Sequence, residues 1–144
     1  MNRPVAADMS DVFKWDPAYS LNIGSIDAQH RSLLAIGREL SNALSIGHSR
    51  AMTYNIVDRL ARYAASHFSH EERLMRTRGY PDLAAHQAEH QAMTAQVVQF
   101  RADLEAGRAS LSIELLQSME KLIVGHFQGS DRRYSNFLHE KAVA

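Results

Sequence analysis

The chain has 144 residues, enough for one domain around a single buried core, and its 45% hydrophobic and 22% charged content is that of a globular protein. Sixteen Lys and Arg balance sixteen Asp and Glu, so no basic surplus recommends nucleic acid or an anionic membrane surface as a partner. There is no cysteine, which excludes disulfides, thiolate zinc sites, iron–sulfur clusters and a catalytic thiol and leaves nitrogen and oxygen as the only metal donors.

Met1 to Phe13 carries Arg3 but no apolar run, which argues against a secretory signal. No stretch approaches the roughly 20 apolar residues of a membrane span, so a cytoplasmic location without membrane insertion is expected. Residues 1–24 read as an irregular arm, with Trp15 and Tyr19 available to pack it onto a bundle formed by residues 25–144. Ser25 is the predicted cap of a first helix running to about Ile46, with Gly47 as its stop. A second helix is predicted from about Arg50 to Arg78, ended by Gly79 and Pro81. The third starts near Pro81 and stops at Gly107; the fourth runs from near Ser110 to about His139. None of the prolines (Pro4, Pro17, Pro81) interrupts a periodic segment. Ile26, Leu33, Leu40 and Leu44 share the first helix's apolar face with His30. On the third, Leu83, His86, His90, Met93, Val97, Phe100 and Leu104 follow steps of three and four. With short connections, the pattern predicts an all-α, up-down-up-down antiparallel four-helix bundle.

Histidine and glutamate stand on these seams where a bundle ordinarily places leucine. His67 and Glu71 lie four apart on the second helix, beside Leu60, Tyr63, Leu74 and Met75, and His86 and His90 repeat that spacing on the third. His30 occupies the first helix's apolar face, and His126 follows Met119 and Leu122 on the fourth. Burying such groups unpaired costs several kcal/mol for each ionised one, roughly, and a metal removes that cost by taking the lone pairs. A single histidine on an apolar face is more often a hydrogen-bonded core residue. Here all four helices contribute, and two supply pairs at ligand spacing, so metal binding is the better reading. Asp131 follows His126 by five residues, which in a regular α-helix places the two about 140° apart. The apolar frame slips by one residue between these positions: Leu115, Met119, Leu122 and His126 precede the slip, and Asp131, Tyr134 and Leu138 follow it. A single π-bulge would absorb that slip, eased by Gly125 and Gly129. His48, His70 and His139 read as loop, outward-facing and terminal residues respectively.

The strings Ile26-Asp27-Ala28-Gln29-His30 and His67-Phe68-Ser69-His70-Glu71-Glu72 leading to Met75 resemble those of hemerythrins. So do Tyr80-Pro81 followed by His86 and His90, His126 with Asp131, Tyr134, Phe137 and Leu138, and the N-terminal Trp15-Asp16 with Tyr19. The resemblance covers about residues 13 to 138; short prokaryotic members are called bacteriohemerythrins. It implies reversible dioxygen binding, for transport, storage or delivery, at a non-heme di-iron centre, and no catalysis. By position, His86, His90 and His126 would complete one six-coordinate iron, and His30 and His67 would hold the second, leaving one site open to dioxygen. Glu71 and Asp131 would bridge the two ions together with an oxo or hydroxo group derived from solvent.

Five imidazoles and two carboxylates donate less negative charge than the four glutamates and two histidines of ferritin-like di-iron oxidases, which disfavours cleavage of the oxygen–oxygen bond. By position, Leu33, Phe68, Leu122 and Phe127 would form an apolar pocket over the open site, with no proton donor. Oxygen-transporting members often carry tryptophan where this chain has Leu122 and isoleucine where it has Phe127, so altered affinity or autoxidation is expected. An oxygen or redox sensor using the same cluster is the main alternative. A di-iron peroxidase or oxidase would need acid–base help, for which Tyr63 and Glu72 are the nearest residues. Seven ligands exceed what a four-coordinate zinc site needs. A monomer is expected, and a delivery role would need an oxygen-consuming enzyme as partner.

Overall fold

The computed structural model describes residues 11–143. Gly47, at φ 72°, turns the chain left-handed after helix α1 (Gly24–Ile46). Ser49 then opens α2 (Arg50–Thr77) by accepting the Met52 N–H at 3.2 Å. Gly79, at φ 68°, reverses the chain into α3 (Leu83–Glu105). Ser112 caps α4 (Ile113–His126) by accepting the Leu115 N–H at 3.1 Å. The fourth rod continues through a π-helical turn, Phe127–Asp131, into α5 (Arg132–Val143). The rods form an antiparallel four-helix bundle, and no described helix is long and apolar enough to cross a membrane.

The predicted helix starts need small corrections. Ser25 lies inside α1, which begins at Gly24 and has no side-chain cap; Asp27 instead ties the helix to the arm. Its carboxylate accepts the Leu21 N–H at 2.8 Å and the Ser20 hydroxyl at 2.6 Å, so it reaches back into the arm as a serine could not. Pro81 and Asp82 stay in the turn before α3, Ser110 stays outside α4, and α5 extends past His139 to Val143.

Two apolar clusters divide the interior. Leu33, Leu34, Leu40, Val57, Leu60, Leu104 and Leu116 belong to the larger; Leu21, Ile26, Met75, Tyr80 and Tyr134 form the smaller. Along each rod the polar positions fall between these clusters: His30 between Ile26 and Leu33, His67 and Glu71 between Leu60 and Met75. The bundle thus buries a polar layer between two apolar ones.

The arm is built into this core. Residues 1–10 of it lie outside the described residues. Trp15 and Tyr19 pack on the larger cluster, and Val12 and Phe13 go deeper and are buried within it. Phe13 adopts φ 66°, and its N–H donates to Glu120 Oε2 at 2.7 Å. Its ring fills the hollow left by the missing side chain of Gly37, where a Cβ would stand 2.6 Å from Phe13 Cγ. The Ser135 hydroxyl donates to the Leu21 carbonyl at 2.7 Å, and Arg132 donates to the carbonyls of Ala18 and Ser20. Because the clash involves the base of a buried ring, Gly37→Ala is expected to cost about 1–3 kcal/mol in spite of alanine's better helix propensity. Gly24→Ala, which meets open space, is expected to be close to neutral. Urea denaturation of the two variants checks this difference.

Candidate metal centre

The four rods bring the seven predicted donors into one cluster, and all seven are buried, none more than 3% exposed. They form two overlapping groups: Glu71, His86, His90, His126 and Asp131 in one, and His30, His67, Glu71 and Asp131 in the other. The four-residue spacings on α2 and α3 point paired side chains inward, as α-helical geometry dictates. Asp131 joins His126 because the π turn, Phe127–Asp131, takes up one extra residue between them. His70 stays outside, 3.3 Å from the Ser25 hydroxyl, and His139 lies beside Ser135 on the exposed surface of α5. His48 lies between α1 and α2, on the wall of a separate pocket with Arg50 and Leu111.

The two carboxylates face both groups at once. Glu71 Oε1 stands 3.0 Å from His86 Nε2 and from His90 Nε2 and 3.9 Å from His126 Nε2, while its Oε2 faces His67 Nε2 at 3.3 Å and His30 Nε2 at 3.6 Å. Asp131 Oδ1 lies 2.9 Å from His86 Nε2 and 3.1 Å from His126 Nε2, and Oδ2 lies 3.1 Å from His30 Nε2. These separations are short, yet Glu71 Oε2 and both Asp131 oxygens lack a hydrogen-bond partner. Unpaired buried carboxylate oxygens are costly, and lone pairs that converge on common points are what a bound cation satisfies. Donors about 2.1 Å from one ion at right angles lie about 3.0 Å apart, so this spacing suits octahedral coordination better than tetrahedral.

A second set of contacts fixes the imidazoles. His67 donates Nδ1–H to Gln29 Oε1 at 2.7 Å, His90 donates to Glu72 Oε2 at 2.7 Å, and His126 donates to Glu89 Oε1. Glu89 Oε2 accepts from the Ser130 hydroxyl at 2.7 Å, and Arg133 donates to the same hydroxyl at 2.9 Å. With Nδ1–H committed outward, each neutral ring turns a bare Nε2 lone pair inward, the arrangement usual for metal-ligating histidines. His90 and His126 thereby bring their Nε2 atoms to 3.1 Å, a repulsive approach unless a proton or a cation lies between them. Phe127 stacks on His30 at 3.7 Å between centroids, and Phe68 stacks on His90 at 4.0 Å.

Leu33, Phe68, Leu122 and Phe127 line one cavity of 260 Å³ between α1, α2, α3 and α4. Of the seven donors only His126 touches it. Phe127, stacked on His30, and Phe68, 5.8 Å from His67, form its wall on the side of the other group.

Sequence reasoning passed over Gln29 and Glu89 and named Glu72 only as an acid–base candidate. Each sits directly beside a donor in the chain, at 29/30, 71/72 and 89/90, but serves a donor on another helix. Adjacency was the available signal; the cross-helix pairing is visible only in three dimensions.

Without metal, the cluster takes up protons. Burial alone would lower the His126 and His86 imidazoles, but the close carboxylates of Asp131 and Glu71 outweigh it and push them to about 11 and about 9. Burial would raise Glu71, yet the imidazoles of His126, His30, His67 and His86 hold it well below its ordinary range. His67 goes the other way, lowered chiefly by burial and further by His30. A raised histidine stabilises the fold fully below its unfolded value of 6.5, and that contribution disappears as pH rises through its folded value. His67 is neutral in both states above 6.5 and adds nothing there. Chelator-stripped protein is therefore expected to lose stability between pH 6.5 and 9, as measured by urea midpoints. Metal-loaded protein, its imidazoles already deprotonated, is expected to lose much less.

A model for the hemerythrin HHE cation binding domain matches residues 21–138. A bacteriohemerythrin from Stenotrophomonas maltophilia is 31% identical over 125 residues, which span 85% of this chain and 78% of that protein. A bacteriohemerythrin from Methylococcus capsulatus is 28% identical over 121 residues, 83% of this chain and 92% of that one. The crystal structure of a wild-type hemerythrin superposes with a TM-score of 0.79 at 27% identity, covering 85% of this chain and 95% of that chain. With its model matched across most of the sequence and the donor cluster in place, the chain belongs to the hemerythrin family.

Proposed function

We propose that this chain binds dioxygen reversibly at a non-heme di-iron centre, as a carrier, store or delivery protein. One observation carries the reading: each of two buried carboxylates turns one oxygen toward three or two imidazoles of the first group and the other oxygen toward the second group. His86, His90 and His126 would hold one iron, His30 and His67 the other, and Glu71 and Asp131 would bridge them with a solvent-derived oxo or hydroxo group. A ferrous pair held there would supply the two electrons needed to bind dioxygen and would take them back when it leaves.

The chain's own residues favour reversal over reaction. Gln29, Glu72 and Glu89 lock three imidazoles in the metal-binding tautomer. Glu72 also accepts from Gln87 at 3.2 Å, which fits a structural duty rather than proton transfer. Leu33, Phe68, Leu122 and Phe127 give the cavity beside the cluster an apolar inner wall and offer no proton. Phe127 stands between the cavity and His30, lining the one and stacking on the other. In this reading the protein is a cytoplasmic monomer that supplies an oxygen-consuming enzyme. Sensing is favoured by a different observation: Trp15, Tyr19, Phe127 and His30 form a continuous column of ring contacts from the arm to the cluster.

Anaerobically reduced, iron-loaded protein is expected to develop a visible ligand-to-iron charge-transfer band on adding oxygen and to lose it under argon. Prompt irreversible oxidation without that band would overturn the proposal. In the same assay Leu122→Trp, which fills cavity space with apolar bulk, is expected to slow autoxidation; an unchanged rate removes Leu122 as a determinant. Glu89→Ala leaves His126 Nδ1–H without its carboxylate and is expected to weaken iron binding about 10- to 100-fold. Competition with a chromophoric chelator measures that loss.

A further inference from the structure

The cavity beside the cluster is far larger than a diatomic gas requires. It measures 260 Å³, whereas an apolar protein cavity of roughly 150 Å³ already holds benzene and a single water needs only about 10–15 Å³. Its size has a local cause: α2 presents Ala61, Ala64 and Ala65 along this wall, and small residues there leave unfilled the space between α2, α3 and α4.

The cavity is also polarised. Its inner end is formed by Phe68, Phe127 and His126. Its outer part carries Arg62 and Arg101, the latter eleven residues, or about 16 Å, along α3 from His90. The Arg62 side chain is 79% exposed and that of Arg101 28%, so this end meets solvent. Both arginines share one carboxylate: Asp58 Oδ2 lies 2.9 Å from Arg62 Nε, and Asp58 Oδ1 lies 2.8 Å from Arg101 Nη1. Two guanidiniums against one carboxylate leave one positive charge at the mouth of an apolar chamber, and Asp58 engages only one nitrogen of each.

We propose that this cavity is a second binding site, whose ligand is a free medium-chain fatty acid. The alkyl chain lies along the apolar wall toward Phe127, and the carboxylate meets Arg62 and Arg101, whose planar forks suit a carboxylate. A neutral apolar guest would leave the surplus charge unmatched, and an alkylammonium would be repelled by it. The acid would share the cavity that the oxygen reading assigns as the apolar pocket, but the proposal does not rest on that reading, because the acid and the metal occupy different space and the binding of each is measured separately.

Calorimetric titration of the metal-loaded chain with hexanoate, octanoate and decanoate, each below its micellar concentration, tests it. Affinity is expected to rise about fourfold per added methylene and to level off once the chamber is full. Arg101→Gln is expected to weaken octanoate about tenfold while leaving 1-octanol unaffected. Ala64→Leu is expected to move the levelling point to a shorter acid, with its fold checked by thermal midpoint. Absence of binding by all three acids overturns the site, and so does affinity independent of chain length. Equal affinity for 1-octanol and octanoate, with no effect of Arg101→Gln, overturns the assignment of a carboxylate ligand. Should Ala64→Leu fail to fold, the chain-length series and Arg101→Gln still decide.

Discussion

Two carboxylates are buried in the middle of a helical bundle, out of reach of bulk solvent, and the rest of the structure answers to that constraint. Glu71 is 0% exposed and Asp131 1%, a burial that costs several kcal/mol for each, roughly, unless positive charge stands beside it. The imidazoles around them offset that burial in one of two ways. They can carry protons, as the strongly raised His126 and His86 do when no metal is present, or they can be neutral and share a cation with the carboxylates. The two solutions exclude each other, since a ring nitrogen that holds a proton offers no lone pair. Metal loading is thus an exchange of protons for metal charge within a geometry that the bundle already provides.

Holding that geometry demands departures from an ordinary bundle. A regular fourth helix would carry Asp131 round to another face, so the rod admits a π turn at Phe127–Asp131. The turn has further effects. It places Phe127 flat against His30, and it brings Ser130 to the carboxylate of Glu89 that orients His126. One local distortion therefore supplies a donor, a packing surface for a second donor and a positioning contact for a third. The apolar clusters on either side of the polar layer compensate for the imperfect helix, with Tyr134 and Leu116 fully buried beyond each end of the distorted segment.

Much of this was legible in the sequence because helical periodicity translates spacing into direction. His67 with Glu71 and His86 with His90 share a face by arithmetic, and the one-residue slip after His126 marks the π turn. What escaped was decided between elements. Gln29, Glu72 and Glu89 reach donors on other helices, and no pattern within one helix encodes a neighbour's rotation. Ser25 has the residue type of a cap but lies inside α1, which has no side-chain cap, and Asp27, one turn inside, has the reach to gather the Leu21 N–H and Ser20 hydroxyl of the arm. The depth of the arm escaped for a similar reason. Phe13 is buried because Gly37, on a different element, leaves it room.

The donors are not supported alike. His67, His90 and His126 are each fixed by a hydrogen bond at Nδ1, but His30 Nδ1 is buried with no partner, and its ring is held by stacking on Phe127. Phe127 in turn rests on Tyr19, and Tyr19 on Trp15, over which the Arg31 guanidinium lies at 4.7 Å. A hydrogen bond tolerates little change in angle, whereas a ring stack can slide at small cost. His67, His90 and His126 are therefore rigidly held, and His30 is the compliant donor, positioned by the arm. A change of donor geometry is thus absorbed most cheaply at His30, whose ring takes its place from the packing of the arm against Phe127.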